Sequence, residues 1–490
     1  MSPRRRFLLN TAIVLAFWLL PLAIYWPVTL GGRTMLPADN LFQWEPWASH
    51  ADAFGVGTPD NSLLSDMILQ NYAWRQFQRE SLAQGEIPLW NSHMFGGAPF
   101  LATGQNQGYY PFSALFLLLP LAVAYGWYTV SQLWLAGVWM YTFGRILGMR
   151  RASAAVAGLI FQGCGFLLVS SAVFPMILGA AIWLPLILGA LDMMIRATTH
   201  ARGAGKTLPW AVLGAFALGM QVLAGHIEIT YYTLLVMAAF ALWRLVSRLG
   251  GREWRQAHGF ERIPLWSKRT AEYFVKPVAW LVGTVAIGLL LGAVQFVPFY
   301  EVGTSNFREG SATLAEVRDW GFPVRRIITL ALPDFFGNPA DHAVRDAWTG
   351  EWELLTTNYY GQPNPHGAGT TNWGIKNYVE GGIYLGILPL ILAVLGVVGV
   401  LKKPQGAQKP PKFGGRRSVI AFMVVLSGFS LAFIFGTPLY AILYYGLPGI
   451  NQLHSPFRWV FPLSLAVAVL AGFGMEYVAQ TRMDAEKRGW

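Results

Sequence analysis

Four groups of residues in this chain have the types and spacing that chemistry needs. The first is a pair of carboxylates early in the sequence. Asp66 opens the pattern SDMILQNYAWRQF, and Gln70 follows one turn later on the same helical face. Asp39 sits upstream in LPADN. A carboxylate held close to lipid has its pKa raised and becomes a general base. Alternatively, it ligates a divalent cation that neutralises a phosphate leaving group. Helix capping by Ser65 or Asp66, and turn capping by Asp39, explain the same residues without chemistry.

The second group is PLWNSHMFGGAPF, which holds Trp90, Asn91, His93 and Phe95 followed by Gly96 and Gly97. Indole and phenyl rings stack on sugar faces, and they also anchor proteins in the headgroup zone. Paired glycines let backbone approach a ligand or a helix closely. The third group is His226 and Glu228, at a short turn between two apolar runs. An imidazole and a carboxylate at membrane depth are costly unless paired or functional. They hold a lipid phosphate, help bind an acceptor, or pair as a helix end. The fourth is NQLHSPFRWV, where Arg458 opens the last apolar run beside His454. A forked guanidinium there clamps phosphate or snorkels to the interface. Residues 301–380 add Asp319, Arg325, Arg326, Asp334, Asp341 and Glu351 without metal-ligand spacing. The chain has no phosphate loop, GxSxG elbow, CxxC or HExxH.

The elements that must position these residues are membrane helices. The 490 residues are 54% hydrophobic and only 12% charged, against roughly 25% charged in an ordinary soluble protein. Apolar runs of about 20 residues recur, each long enough to cross the bilayer as a helix. Ten such stretches can be drawn, near 7–30, 110–144, 152–171, 174–195, 208–225, 229–243, 277–299, 381–401, 418–436 and 459–479. The expected fold is therefore an all-α polytopic membrane protein of about ten spans, with both termini cytoplasmic. Two long polar segments, 31–110 and 301–380, are expected outside and to contain short amphipathic helices. A Lys/Pro/Gly-rich linker, 402–417, is expected inside. The first apolar run is too long for a signal peptide and reads as a retained helix.

The net charge of +11 does not point to nucleic acid, because the basic residues cluster in short segments between apolar runs. By this topology 26 of the 36 Lys and Arg lie inside, as the positive-inside rule requires, and 18 of the 25 acids lie outside. The single cysteine, Cys164, excludes an internal disulfide.

Taken in order, the segments resemble the YfhO family of bacterial membrane proteins, within the wider GT-C class of polytopic glycosyltransferases. The residues that carry the likeness are Asp66 with Gln70, then Gly85-Glu86-Ile87-Pro88-Leu89-Trp90-Asn91, Gly96-Gly97 and Tyr110-Pro111. Further on come Gly225-His226, Leu332-Pro333-Asp334-Phe335-Phe336-Gly337, Tyr384-Leu385-Gly386, Leu388-Pro389-Leu390, and Phe457-Arg458 leading to Ala471-Gly472-Phe473-Gly474. The resemblance implies a GT-C-like fold in the bacterial cytoplasmic membrane with its active face outside. It implies transfer of a sugar from a polyprenyl-phosphate-linked donor to a cell-envelope glycan or glycolipid, by inverting displacement. A carboxylate of the first outer loop would act as base, Asp66 first and Asp39 second, with Arg458 at the donor phosphate. Gln70, Trp90, Asn91, His93, His226, Glu228 and His454 would complete the binding site, with Trp44 and Trp47 on the sugar path. The acidic pair seen in some GT-C loops is absent, which leaves any divalent cation open. Two other functions fit the composition: a lipid or saccharide transporter, which would place ionisable groups deep in the helices, and a non-catalytic subunit of a membrane assembly.

Overall fold

The computed structural model describes residues 2–57, 64–199, 204–249, 268–304, 312–335, 343–345, 352–354, 382–401, 415–453 and 456–487. Most of the expected outer segment 301–380 and of the linker 402–417 lies outside the described residues, as does His454.

Helices occupy all ten apolar stretches. Seven among the described residues are long and apolar enough to cross a membrane: Pro3–Thr29, Pro175–Thr198, Gly205–Leu223, Ile227–Ser247, Phe274–Leu291, Arg416–Ile434 and Pro456–Met483. The pair Arg151–Gln162 and Gly165–Val173, bent by 41°, makes an eighth if taken as one span. The expected count of ten differs at two places. Leu121–Ile146 is helical for 26 residues but carries Tyr125, Tyr128, Thr129, Ser131 and Gln132, which dilute its hydropathy. Ile387–Leu401 is strongly apolar but only 15 residues long, about 22 Å at 1.5 Å per residue. The chain is a multi-pass, mostly helical membrane protein. Strand among the described residues is confined to two short antiparallel hairpins, Trp90–Asn91 with Ala98–Pro99 and Ala343–Arg345 with Trp352–Leu354.

Two spans form the axis of the bundle. Pro175–Thr198 and Pro456–Met483 are each 94% buried over their apolar windows, whereas Pro3–Thr29 is 11% and Phe274–Leu291 17% buried. The last two present their side chains to lipid. Glycines set the closest approaches, as small residues do where membrane helices pack without a hydrophobic driving force. A methyl group on Gly474 would overlap the Leu392 carbonyl, and one on Gly396 the Leu470 carbonyl, so the two backbones touch. Gly137 and Gly158 together make a socket for Phe17, which is 2% exposed. The Phe17 carbonyl accepts a hydrogen bond from Gln162 Nε2 at 2.7 Å. That contact fixes the first helix despite its nearly bare flanks.

The polar stretch 31–110 folds into short pieces laid over one end of the bundle. They include 3₁₀ turns Ala38–Gln43 and Ala48–Phe54, one turn of π-helix Met67–Tyr72, and the helix Ala73–Ala83. The first of these turns packs against the π-turn. Ala73–Ala83 is amphipathic in an inverted sense: the residues it buries are Arg75, Gln78 and Ser81, spaced three apart along one face.

Candidate functional site

The first polar stretch meets the His226 turn at two glycines. Gly225 has φ of +83°, and a side chain on it would overlap the Gly104 carbonyl. Gly104, at φ +79°, in turn faces Gln295. Gln295 Nε2 donates to the Leu101 carbonyl at 2.7 Å. Residues 101–107 are therefore clamped between the turn at 225 and the helix Ala293–Thr304. Only glycine at 225 permits both the left-handed backbone and this approach.

Beneath that clamp lies a buried polar network. Arg75, 1% exposed, donates from Nη2 to Gln107 Oε1 at 2.7 Å and stacks its guanidinium 4.1 Å above the Phe116 ring. Gln107 Nε2 donates to the Tyr128 hydroxyl at 2.8 Å. Gln78 Nε2 donates to the Gly108 carbonyl at 3.2 Å. Nearby, Tyr110 donates to Gln132 Oε1 at 2.8 Å and accepts from Trp183 Nε1 at 3.2 Å. Burial pushes the Arg75 guanidinium below its usual value. Among the described residues no carboxylate pairs with it; amides and an aromatic face take that place.

Three of the residues singled out in the sequence come together at the far side of the clamp. Arg458 Nη1 donates to Glu228 Oε2. The other oxygen of Glu228 accepts from the Tyr232 hydroxyl at 2.9 Å. Tyr232 is one helical turn after Glu228, so both side chains fall on one face, and its ring packs on Trp459 at 5.3 Å. His226 starts the same turn. Its Nδ1 accepts from the Ile229 backbone N–H at 3.3 Å, which places its ring proton on Nε2. Burial, then the nearby Arg458 cation, pushes the His226 pKa well below 6.5. His226 is thus a neutral donor at pH 7, and Arg458 carries the positive charge of the site.

Asp66 lies at the start of the π-turn, half-buried, with Gln70 Nε2 donating to its Oδ1 at 3.4 Å. Burial raises its pKa. Single turns of π-helix recur at functional sites. Asp39 is half-buried in Ala38–Gln43, against that π-turn. Trp44 and Trp47 are exposed beside it. In the hairpin, the indole of Trp90 lies over Gly97. Asn91 is buried and its Oδ1 accepts from the His93 backbone N–H at 2.9 Å. The exposed His93 ring meets Phe77 edge-on at 5.8 Å. Among the described residues no group of three or more His, Cys, Asp or Glu converges as a metal site.

The structure thus joins His226, Glu228 and Arg458, and packs their turn on residue 104 of the first polar stretch. It puts the segments bearing Asp39 and Asp66 side by side. The hairpin of Trp90, Asn91 and His93 forms a separate group rooted on Leu101. Sequence reasoning missed Arg75, Gln107 and Tyr232. Tyr232 was findable from its i+4 spacing to Glu228; Arg75 in AWRQF reads as a solvated arginine, and nothing local marks it as buried.

No family model and no curated protein matches the chain. A crystal structure of ArnT from Cupriavidus metallidurans in the apo state is similar over 97% of this chain and 78% of that one, at 15% identity and a TM-score of 0.33. A likeness that distant carries no argument about this chain.

Proposed function

We propose that the chain is a GT-C-like membrane glycosyltransferase acting at the outer face of a bacterial cytoplasmic membrane. Its donor is a sugar on polyprenyl phosphate and its acceptor a cell-envelope glycan or glycolipid. The observation that carries the reading is the junction of Gly104 with Gly225. It joins the polar stretch that also holds Asp66, half-buried and of raised pKa, to the turn where a partly buried arginine meets a carboxylate that a tyrosine also holds.

In this reading Asp66 takes the proton from an acceptor hydroxyl, with Asp39 as the neighbouring alternative. The acceptor oxygen attacks the anomeric carbon from the face opposite the phosphate. The bond from that carbon to the phosphate oxygen breaks, the configuration inverts, and polyprenyl phosphate leaves with the electron pair. Arg458 holds the charge that develops on the phosphate, and the neutral His226 supplies an N–H donor beside it. Stabilising charge as it develops commonly contributes more to such transfers than any other single effect. Gln70 orients Asp66. Trp44 and Trp47, exposed beside Asp39, border the approach of the sugar; the hairpin of Trp90, Asn91 and His93 stands apart from it.

The test uses the purified protein in vesicles with a polyprenyl-phosphate-linked sugar labelled in the sugar, and an envelope extract as acceptor. The label should move to acceptor with release of polyprenyl phosphate and inverted anomeric configuration. Movement of intact labelled lipid across the bilayer with no release would overturn the proposal in favour of a transporter.

A further inference from the structure

The hairpin of residues 86–99 carries a feature that the proposed reaction does not use. Phe95 is 92% exposed, at the tip, with φ of 54°, a left-handed conformation that favours glycine. Gly96 and Gly97 follow it at φ 73° and 117°. The tip is nonetheless locked. Trp90 lies over Gly97, Asn91 Oδ1 holds the His93 N–H, and the Phe100 N–H donates to the Leu89 carbonyl at 2.8 Å. A backbone outlier over-determined by its surroundings is a reason to look for function. Here the lock holds a phenyl ring outward.

What surrounds the tip is apolar as well. Ile87, Leu89 and Trp90 are exposed on the same hairpin. The sequence has no Asp, Glu, Lys or Arg between Glu86 and Arg145. The root of the hairpin is moored to a lipid-facing helix. The Leu101 carbonyl accepts from Gln295, which stands on Ala293–Thr304, the continuation past Gly292 of Lys268–Leu291. Val294, Val297 and Tyr300 on that continuation are exposed, and the Phe274–Leu291 span is only 17% buried. The lipid-facing surface of this span therefore runs on to the foot of the hairpin.

We infer that the 86–99 hairpin is a membrane-interface anchor, with Phe95 inserted among phospholipid chains beside the Phe274–Leu291 span. Phenyl and indole rings on an uncharged hairpin suit the boundary between headgroups and acyl chains. Water would leave the same rings exposed in one patch, which soluble surfaces rarely do. Lipid continuous with the adjoining span covers them.

Cys164, the chain's single cysteine, is buried, so an introduced cysteine can be labelled in the full-length protein. Phe95→Cys and Asp52→Cys, each carrying an environment-sensitive fluorophore, are compared in phosphatidylcholine/phosphatidylglycerol vesicles with and without spin-labelled lipid. The label at 95 should emit at shorter wavelength and be quenched several-fold more strongly by shallow spin labels than the label at 52. Water-like emission at 95, or equal quenching at both sites, would overturn the anchor. So would self-quenching between labels at 95 without quenching by lipid, which would assign the tip to a second copy of the chain. None of these outcomes depends on sugar transfer.

Discussion

The bundle treats buried charge differently at its two ends. At one, Asp192, 0% exposed, is gripped by Arg196 and by both Nε and Nη2 of Arg244, each at 2.8 Å. Glu476 there accepts from Arg416 at 2.7 Å and from the Arg150 backbone N–H. These acids tie helices that are far apart in sequence, and each is answered by more than one basic or N–H group. At the other end, among the described residues, Glu228 meets a guanidinium and a hydroxyl, Asp66 an amide at 3.4 Å, and Arg75 no acid. At the first end each carboxylate is held by cations or backbone N–H groups and is a fastening. At the second the partners of Asp66 and Arg75 are neutral side chains and Glu228 is shared between a guanidinium and a hydroxyl, and that is where the proposed reaction sits.

Substitutions at the two ends should separate accordingly. Asp192→Asn has the largest expected effect: it leaves Arg244 buried without its counter-ion and should cost roughly 3–5 kcal/mol, read as a lower unfolding temperature in detergent. Next is Arg458→Gln combined with Glu228→Gln, which removes the charge without stranding a carboxylate. It should lower kcat/KM about 10²–10³-fold with the unfolding temperature little changed. A large loss of stability there would put the Glu228 pair among the fastenings. Arg75→Met keeps the stacking volume over Phe116 but leaves the Gln107 oxygen without its donor. About 1–3 kcal/mol of stability should be lost, measured by the same thermal scan; no loss would show that the network does not hold the first polar stretch. The smallest effect is on pH dependence. In the proposed mechanism Asp66 acts as the ionised base, and burial raises its pKa, so turnover should fall on acidification through a pKa above the ordinary carboxylate value of ~3.9. A pH–rate profile with its acid limb at or below that value contradicts the assignment.

The helices were legible because a span announces itself by length and hydrocarbon content. The two places where the count differs, Leu121–Ile146 and Ile387–Leu401, are those where polar aromatics or short length blur that signal. At the candidate site, the turn of His226 and Glu228 followed from local spacing, whereas Tyr232, one turn on, carried the right spacing and was missed. The pairing of Glu228 with Arg458, 230 residues away, was not legible, because chemistry and position at helix ends marked each residue separately and said nothing of their contact. The Gly104–Gly225 contact and the burial of Arg75 were not legible. Both depend on where the first polar stretch lands on the bundle, and helical periodicity alone assigns Arg75 to water. The inverted face Arg75, Gln78, Ser81 makes sense only against Gln107, Gly108 and Phe116.

The most direct measurement is turnover and thermal unfolding of Asp66→Asn beside the wild type, with the labelled donor in vesicles. A general base typically contributes about 10²–10⁴ in rate, so transfer should fall by that factor while the unfolding temperature and donor binding stay at wild-type values. Undiminished transfer, or a fall in transfer matched by loss of folding, would contradict the account.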